Sequence, residues 1–394
     1  MSEETAGTDN KLDKYSSVPH GTAKEVPSWL EHLLSSTGIT VNGSNPWDPQ
    51  IHDHRFYRRV LQEGSLGAGE SYMDGWWDCA RLDEFFTRLM SRHLEKEITG
   101  KWVAVKHWMM ARLVNLQSVS RAFQVGEQHY DVGNDLYQAM LDPTMCYSCG
   151  YWHQAQDLHQ AQRQKLDLVC RKMDLQPGDR VLDIGCGWGS FAEFAARQYQ
   201  ASVTGVTISK EQQKLATDRC EGLPVDIRLQ DYRSLQGQFD KLVSIGMFEH
   251  VGQKNYDTYF QKARELMEDE GIFVLHTIGK MESRLGTDPW IHKYIFPNGA
   301  IPSLAQISKA CEPYFVVEDV HNFGPDYDHT LMGWLDNFRA AWPQLKHQYN
   351  ERFYRMWTYY LQCCAGAFRS RNLQLFQVVL RKPGSGLSRY HSPR

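Results

Sequence analysis

The fold is read from residues 180–190, Arg180-Val181-Leu182-Asp183-Ile184-Gly185-Cys186-Gly187-Trp188-Gly189-Ser190. A short β-branched run passes through a glycine-rich turn into SFAEFAARQY, which has helical spacing, so the segment reads strand, turn, helix. Glycines let backbone approach a ligand, and the helix start supplies free N–H groups. The spacing is G-x-G-x-G behind an acid, not the G-x-G-x-x-G that cradles a dinucleotide pyrophosphate. Asp183 would repel a phosphate and attract an ammonium, which favours S-adenosylmethionine. Asp183 could also cap the following helix.

Moving outward, short apolar runs alternate with helical patterns from about residue 160 onward. Strands are expected at 180–184, 202–207, 225–229, 239–245, 271–278, 314–320 and 373–380. This alternation predicts an α/β, Rossmann-like fold of the class I methyltransferase kind, with a seven-stranded, mostly parallel sheet. After the second strand the chain runs Val206-Thr207-Ile208-Ser209-Lys210-Glu211-Gln212, with no acid at the strand tip. Thr207, Gln212 or Glu211 is left to hold a ribose. After the third strand, Gln230-Asp231-Tyr232-Arg233 would lie beside an adenine, with Asp231 accepting from its amino group; a turn with a solvated Asp is the competing reading. The candidate cofactor positions in these turns are Asp183, Gly185, Gly187, Thr207, Ile208, Ser209, Gln212, Asp231, Tyr232 and Arg233, with Tyr147, Ser148 and Ile245 as further candidates.

The chain has 394 residues, enough for two or more domains, and 42% of them are hydrophobic and 23% charged, which excludes global disorder. Lys+Arg 43 against Asp+Glu 47 leaves a net charge of −4, so no general excess of positive charge points to nucleic acid. Nine cysteines and a polar amino terminus without an apolar leader suggest the cytoplasm, and no run is long and apolar enough to span a membrane. Residues 1–25 read as a disordered tail, 26–112 as a mainly helical domain, 113–125 as a linker, 126–382 as the catalytic domain and 383–394 as a loose tail. In the first domain, helical patterns at FYRRVLQEG (56–64) and CARLDEFFTRLMSRHL (79–94) are separated by the glycine-rich GSLGAGESYMDGWW (64–77). Residues 101–113 mix Trp102, Val105, Trp108, Met109 and Leu113 with Lys101, Lys106, His107 and Arg112, which suits either a helix on an anionic bilayer or a core helix with a basic side. An aromatic insertion at 281–300 precedes a helical stretch at 330–370.

Several motifs in this order, VLDIGCGWG, GVTISKEQQ, SIGMFEHVG, FVLHTIG, DPWIHKYIFPNG, HNFGPDYDHTL, CCAGAFRSR and HYDVGNDLYQAMLDPTMCYSCGYW, resemble the bacterial cyclopropane-fatty-acyl-phospholipid synthase family and the related mycolic-acid cyclopropane synthases. The resemblance runs from about residue 26 to 382. It implies methyl transfer from S-adenosylmethionine to a cis double bond of an unsaturated phospholipid acyl chain, followed by proton loss and ring closure. It further implies a homodimer working at the inner face of the cytoplasmic membrane, and a bound bicarbonate as base. The positions matching the bicarbonate site are Cys149, Glu249, His276, Tyr327 and the backbone of Ile278. Glu249 would accept the bicarbonate proton, and His276 and Tyr327 would donate to its oxygens. Each is expected near the carboxyl end of a strand or in the following loop. Cys364, beside Cys363, matches a candidate nucleophile of the family and ranks below Glu249, because no step requires a thiolate. Aromatic faces at Tyr130, Tyr137, Tyr147, Phe248, Tyr294, Tyr327 and Phe368 could stabilise a cation. Cys146 and Cys149 have C-x-x-C spacing without a second pair, so no metal is expected. Two rival readings are a lipid C-methyltransferase giving methyl-branched or methylene products, and a non-catalytic lipid-binding scaffold.

Overall fold

The computed structural model describes residues 26–92, 133–283, 286–384 and 389–394. The expected tail at 1–25, the basic segment 101–113, the linker 113–125 and Tyr130 lie outside the described residues.

Two short strands, β1 (Gln50–Ile51) and β2 (Trp77–Asp78), pair antiparallel among the amino-terminal helices. The main sheet contains β3 (Arg180–Ile184), β4 (Ser202–Thr207), β5 (Val225–Leu229), β6 (Phe239–Ile245), β7 (Met267–Lys280), β8 (Val316–Asn322) and β9 (Leu373–Arg381). Its order is β5-β4-β3-β6-β7-β9-β8. The first five are mutually parallel, while β9 runs antiparallel to both neighbours. All seven expected strands are present. β7 starts earlier than its apolar run because Met267 pairs with Phe239, although Glu268, Asp269 and Glu270 between them are polar. Two helices, Pro325–Leu345 and Glu351–Arg369, fill the stretch expected at 330–370.

The glycine-rich separator is itself a helix, Ser65–Met73, following directly on the helix Arg55–Glu63. Its glycines answer to space rather than to a loop. A Cβ on Gly67 would lie 2.5 Å from the Arg59 carbonyl oxygen. Helix propensity is overridden by this close approach.

The amino-terminal helices do not bury a core of their own. Leu30, Tyr72, Trp77 and Phe86 share one apolar cluster with Tyr137, Trp290, Trp357 and Tyr359. Charged groups tie the same surfaces together. Arg369 donates to Asp83 and Glu84 on the helix Leu82–Ser91 and to Asp328, while Arg355 donates to the Trp77 carbonyl and to Asp78. The carboxyl-terminal residues expected to be loose are also held at 389–394: Ser392 and Arg394 donate to Asp319 on β8, and Tyr390 donates to the Lys172 carbonyl. Asp319 is a partly buried carboxylate facing the fully buried Lys172, and Arg394 supplies it a second cation.

Candidate active site

A cavity of about 220 Å³ opens at the carboxyl ends of β3, β4 and β6, where an open parallel sheet places its ligands. All thirteen cofactor positions expected from the sequence line it. Gly185 has φ +84° and lies so close to Met247 that a Cβ would fall 2.6 Å from Met247 Cγ. Gly187 has φ +54°, and the space its Cβ would enter is open. The turn therefore bares backbone to the cavity where a side chain would intrude.

Asp183 is 2% exposed, and its Oδ2 has no hydrogen-bond partner among the described residues. Burial pushes its pKa up to about 7, opposed by the charge of Lys165. A buried carboxylate with an unsatisfied oxygen at a cavity wall suits an ammonium group. It does not cap the next helix, since Gly189 occupies the cap position without a side-chain bond.

At the second strand tip Thr207 donates to Gln212 Oε1 (2.9 Å), and Ser209 caps the following helix. Glu211 is exposed and off the cavity, leaving Thr207 and Gln212 as the ribose-facing pair. Asp231 binds Arg233 through both carboxylate oxygens and caps the turn Tyr232–Ser234; it is buried, not solvated. Lys165, Trp188, Met247, His250, Pro297 and Asn298 also line the cavity and escaped the sequence reading. Lys165 sits on the helix Leu158–Lys172 and donates to Ser148 Oγ (3.0 Å). Nothing in its local pattern separates it from a solvated helix lysine.

The expected acid–base residues lie beyond the cavity wall. Met247 and His250 line the cavity, while Glu249 between them enters the protein interior. Its Oε1 accepts from the Ile278 N–H (2.7 Å), and its Oε2 is buried without a hydrogen-bond partner among the described residues. Burial pushes Glu249 up to about 7 against the pull of that backbone bond. Of the Ile278 backbone expected to help hold an anion, the N–H is thus engaged by Glu249 itself. The Tyr327 ring packs tilted on Phe368, with centroids 4.5 Å apart, and burial raises its phenol, with the charges of Cys149, Glu249 and Cys364 adding to the shift.

His276 is held from the far side. Its Nδ1 lies 3.2 Å from Gln377 Nε2 and its ring 5.9 Å from Phe323, while Nε2 has no hydrogen-bond partner among the described residues. Cys149 does not sit at a strand end: it precedes all seven strands of the sheet, in irregular chain before the helix Leu158–Lys172. It reaches the site because Gly150 N–H is fixed by Thr330 Oγ1 (3.0 Å) on the helix that carries Tyr327. Cys364 is pushed up to about 12 by burial, which leaves almost no thiolate at neutral pH.

The aromatic faces divide. Tyr137 packs on Tyr147 (5.2 Å) and Trp188 (4.9 Å), and Tyr147 on Trp334 (5.2 Å), forming one wall with Tyr327 and Phe368. Phe248 instead stacks on Tyr256 (4.4 Å) in a separate cluster, and Tyr294 donates to Glu70 (2.7 Å). Neither belongs to that wall, because Phe248 alternates away from Glu249 and the helix Pro289–Tyr294 docks on the amino-terminal helices.

Residues 117–378 match the family model described as mycolic acid cyclopropane synthetase. The chain is 58% identical over 350 residues to the cyclopropane-fatty-acyl-phospholipid synthase of Escherichia coli K12, covering 89% of this chain and 92% of that one. Among solved structures it resembles the cyclopropane synthase MmaA2 of Mycobacterium tuberculosis, with a TM-score of 0.63 and 29% identity over 66% of this chain and 98% of that one. The mycolic acid cyclopropane synthase CmaA1, solved with SAH and CTAB, aligns with a TM-score of 0.62 and 31% identity, over 66% of this chain and 98% of that chain.

Proposed function

The chain belongs to the mycolic acid cyclopropane synthetase family, and from that premise we propose how its own residues serve the reaction. It is an S-adenosylmethionine-dependent methyltransferase that forms cyclopropane rings. Bound S-adenosylmethionine supplies an electrophilic methyl group, and bicarbonate supplies a base for the proton lost at ring closure. Asp183 holds the ammonium of the methionyl end, Thr207 and Gln212 face the ribose, and Asp231 and Tyr232 flank the adenine. An alkene is a weak nucleophile, so the dry wall of Tyr137, Tyr147, Tyr327 and Phe368 serves both to exclude water and to face the cation formed on the acyl chain.

Cys149, Glu249, His276 and Tyr327 would hold the bicarbonate. The observation that carries this reading is Glu249 Oε2: a buried carboxylate oxygen without a hydrogen-bond partner among the described residues, on a group whose pKa of about 7 matches a proton carrier at working pH. His276 Nε2, also buried and unpartnered, offers a second polar contact. Ile278 acts by fixing Glu249. Among the described residues no helix is long and apolar enough to cross a membrane. On the same reading, unsaturated phospholipid is reached from the bilayer surface through the basic, tryptophan-bearing residues 101–113, and the protein works as a homodimer. Its pattern of charges supports the first point; vesicle sedimentation with Trp102→Ala and Trp108→Ala, and light scattering for mass, test the two.

The deciding experiment is mass analysis of lipids from cells making the protein or its Glu249→Gln form. One CH2 added per former double bond is expected with the former and almost none with the latter. Equal ring formation by both would remove Glu249 from the reaction, and a bicarbonate titration that leaves turnover unchanged would remove the anion.

A further inference from the structure

β9 lies between β7 and β8, and the register sets Gln377 opposite both His276 on β7 and His321 on β8. Gln377 and His276 are buried, at 0% and 1% exposed, while His321 is partly buried. At one end, Lys172 Nζ lies 3.1 Å from His321 Nδ1, and Lys172 has Asp319 at 3.5 Å. At the other, Gln377 Nε2 lies 3.2 Å from His276 Nδ1. Phe323 separates the two imidazoles, with its ring 4.9 Å from His321 and 5.9 Å from His276.

An amide nitrogen can only donate. With the amide nitrogen turned towards the ring, His276 Nδ1 is the acceptor, which leaves the ring's one proton on Nε2, the atom without a hydrogen-bond partner among the described residues. We propose that Gln377 is a positioning residue that fixes His276 as the Nε2–H tautomer, so that the ring presents a donor, not a base, to an anion in the site. This rests on the bicarbonate reading for its purpose but not for its geometry. A neutral donor is what an anion needs from this side, because proton acceptance is then left to Glu249. Two buried polar atoms in the row, Gln377 Oε1 and His276 Nε2, have no hydrogen-bond partner among the described residues, so the row is not a closed structural network there. It holds a polarity in readiness.

The test compares Gln377→Glu, which accepts from Nδ1–H and reverses the tautomer, with Gln377→Met, which keeps the volume and removes the bond. Nitrogen NMR of histidine-labelled protein, with His276 assigned by its loss in His276→Asn, reads the protonated nitrogen directly and needs no bicarbonate. The wild type is expected to carry the proton on Nε2, Gln377→Glu on Nδ1 or on both, and Gln377→Met a mixture. In Gln377→Glu, kcat should fall roughly 10²-fold or more, in the range a wrong tautomer costs elsewhere, with KM for S-adenosylmethionine unchanged. A wild-type proton on Nδ1, or His276 resonances indifferent to both substitutions, would overturn the proposal. Should turnover prove independent of added bicarbonate while the tautomer follows residue 377, the anion reading fails and the positioning role stands.

Discussion

A Cβ on Gly69 would lie 2.3 Å from Cδ1 of Trp290, so the helix Ser65–Met73 meets the aromatic insertion backbone to ring. Around this contact Glu70 accepts from Arg59, Lys293 and Tyr294, joining the amino-terminal helices to the segment that also supplies Pro297 and Asn298 to the cofactor cavity. Amino-terminal packing is therefore coupled to the shape of the site.

Gly69→Ala should lower unfolding free energy by about 1–3 kcal/mol, the usual cost of overpacking where backbone cannot withdraw. Thermal melting checks this, and calorimetry with S-adenosylhomocysteine should register weaker binding if Trp290 shifts the 297–298 loop. Gly333→Ala, in the helix Pro325–Leu345, where a Cβ would meet only Leu158 at an ordinary 3.7 Å, controls for loss of a helical glycine as such. Equal effects from both would assign the loss to the backbone, not to Trp290.

Acid stability should depend on Asp83. Burial pushes this carboxyl up, but hydrogen bonds from Arg81 and Arg369 outweigh it and hold the group at about 2. A lowered carboxyl contributes stability that is present above its unfolded value near 3.8 and is lost as pH falls through about 2. Asp83→Asn should be less stable than wild type at pH 6, and that difference should shrink by about 2 kcal/mol between pH 4 and pH 2. A difference constant with pH would mean that packing, not the ion pair, explains it.

Glu249→Gln should lose ring formation by at least about 10²-fold while S-adenosylhomocysteine binding stays intact, the size expected for a proton carrier. It should also be the more stable protein at pH 8. The folded carboxyl titrates near 7 against 4.5 unfolded, so the native state binds the proton more tightly. Its ionisation penalises folding increasingly as pH rises from about 4.5 to 7, by up to about 3 kcal/mol. Gln keeps the acceptor for Ile278 N–H and avoids the charge. Melting curves at pH 4 and pH 8 test this: the gain should appear only at the higher pH.

Gly187→Val should weaken S-adenosylhomocysteine binding at least 100-fold, equivalent to about 3 kcal/mol. Its Cβ would enter the space of the cavity, not a protein neighbour. A branched residue at φ +54° should also cost about 1–3 kcal/mol of stability. Unchanged affinity in calorimetry would place the ligand elsewhere.

Much of this was legible in the residues themselves. The strands announced themselves through short runs such as Val181-Leu182 and Leu242-Val243, because strands buried on both faces are apolar throughout. The turn at 185–189 was legible because glycine is the residue that tolerates its positive φ values. Family motifs brought Glu249, His276, Tyr327 and Cys149 forward without saying how they meet.

Their meeting was decided by the tertiary structure. Glu249 finds Ile278 across 29 residues, His276 finds Gln377 across 101, and Gly69 finds Trp290 across more than two hundred. Hydropathy and turn chemistry report whether a residue is buried and how its backbone bends, since both are set within a few positions of it. Which buried partner it receives depends on strand order and helix docking, and those follow from the simultaneous packing of the whole chain. For that reason the glycine-rich stretch 64–77, expected only to separate two helices, contains the helix Ser65–Met73, and Lys165, whose local pattern carries no signal of a site, lies buried on the cavity wall.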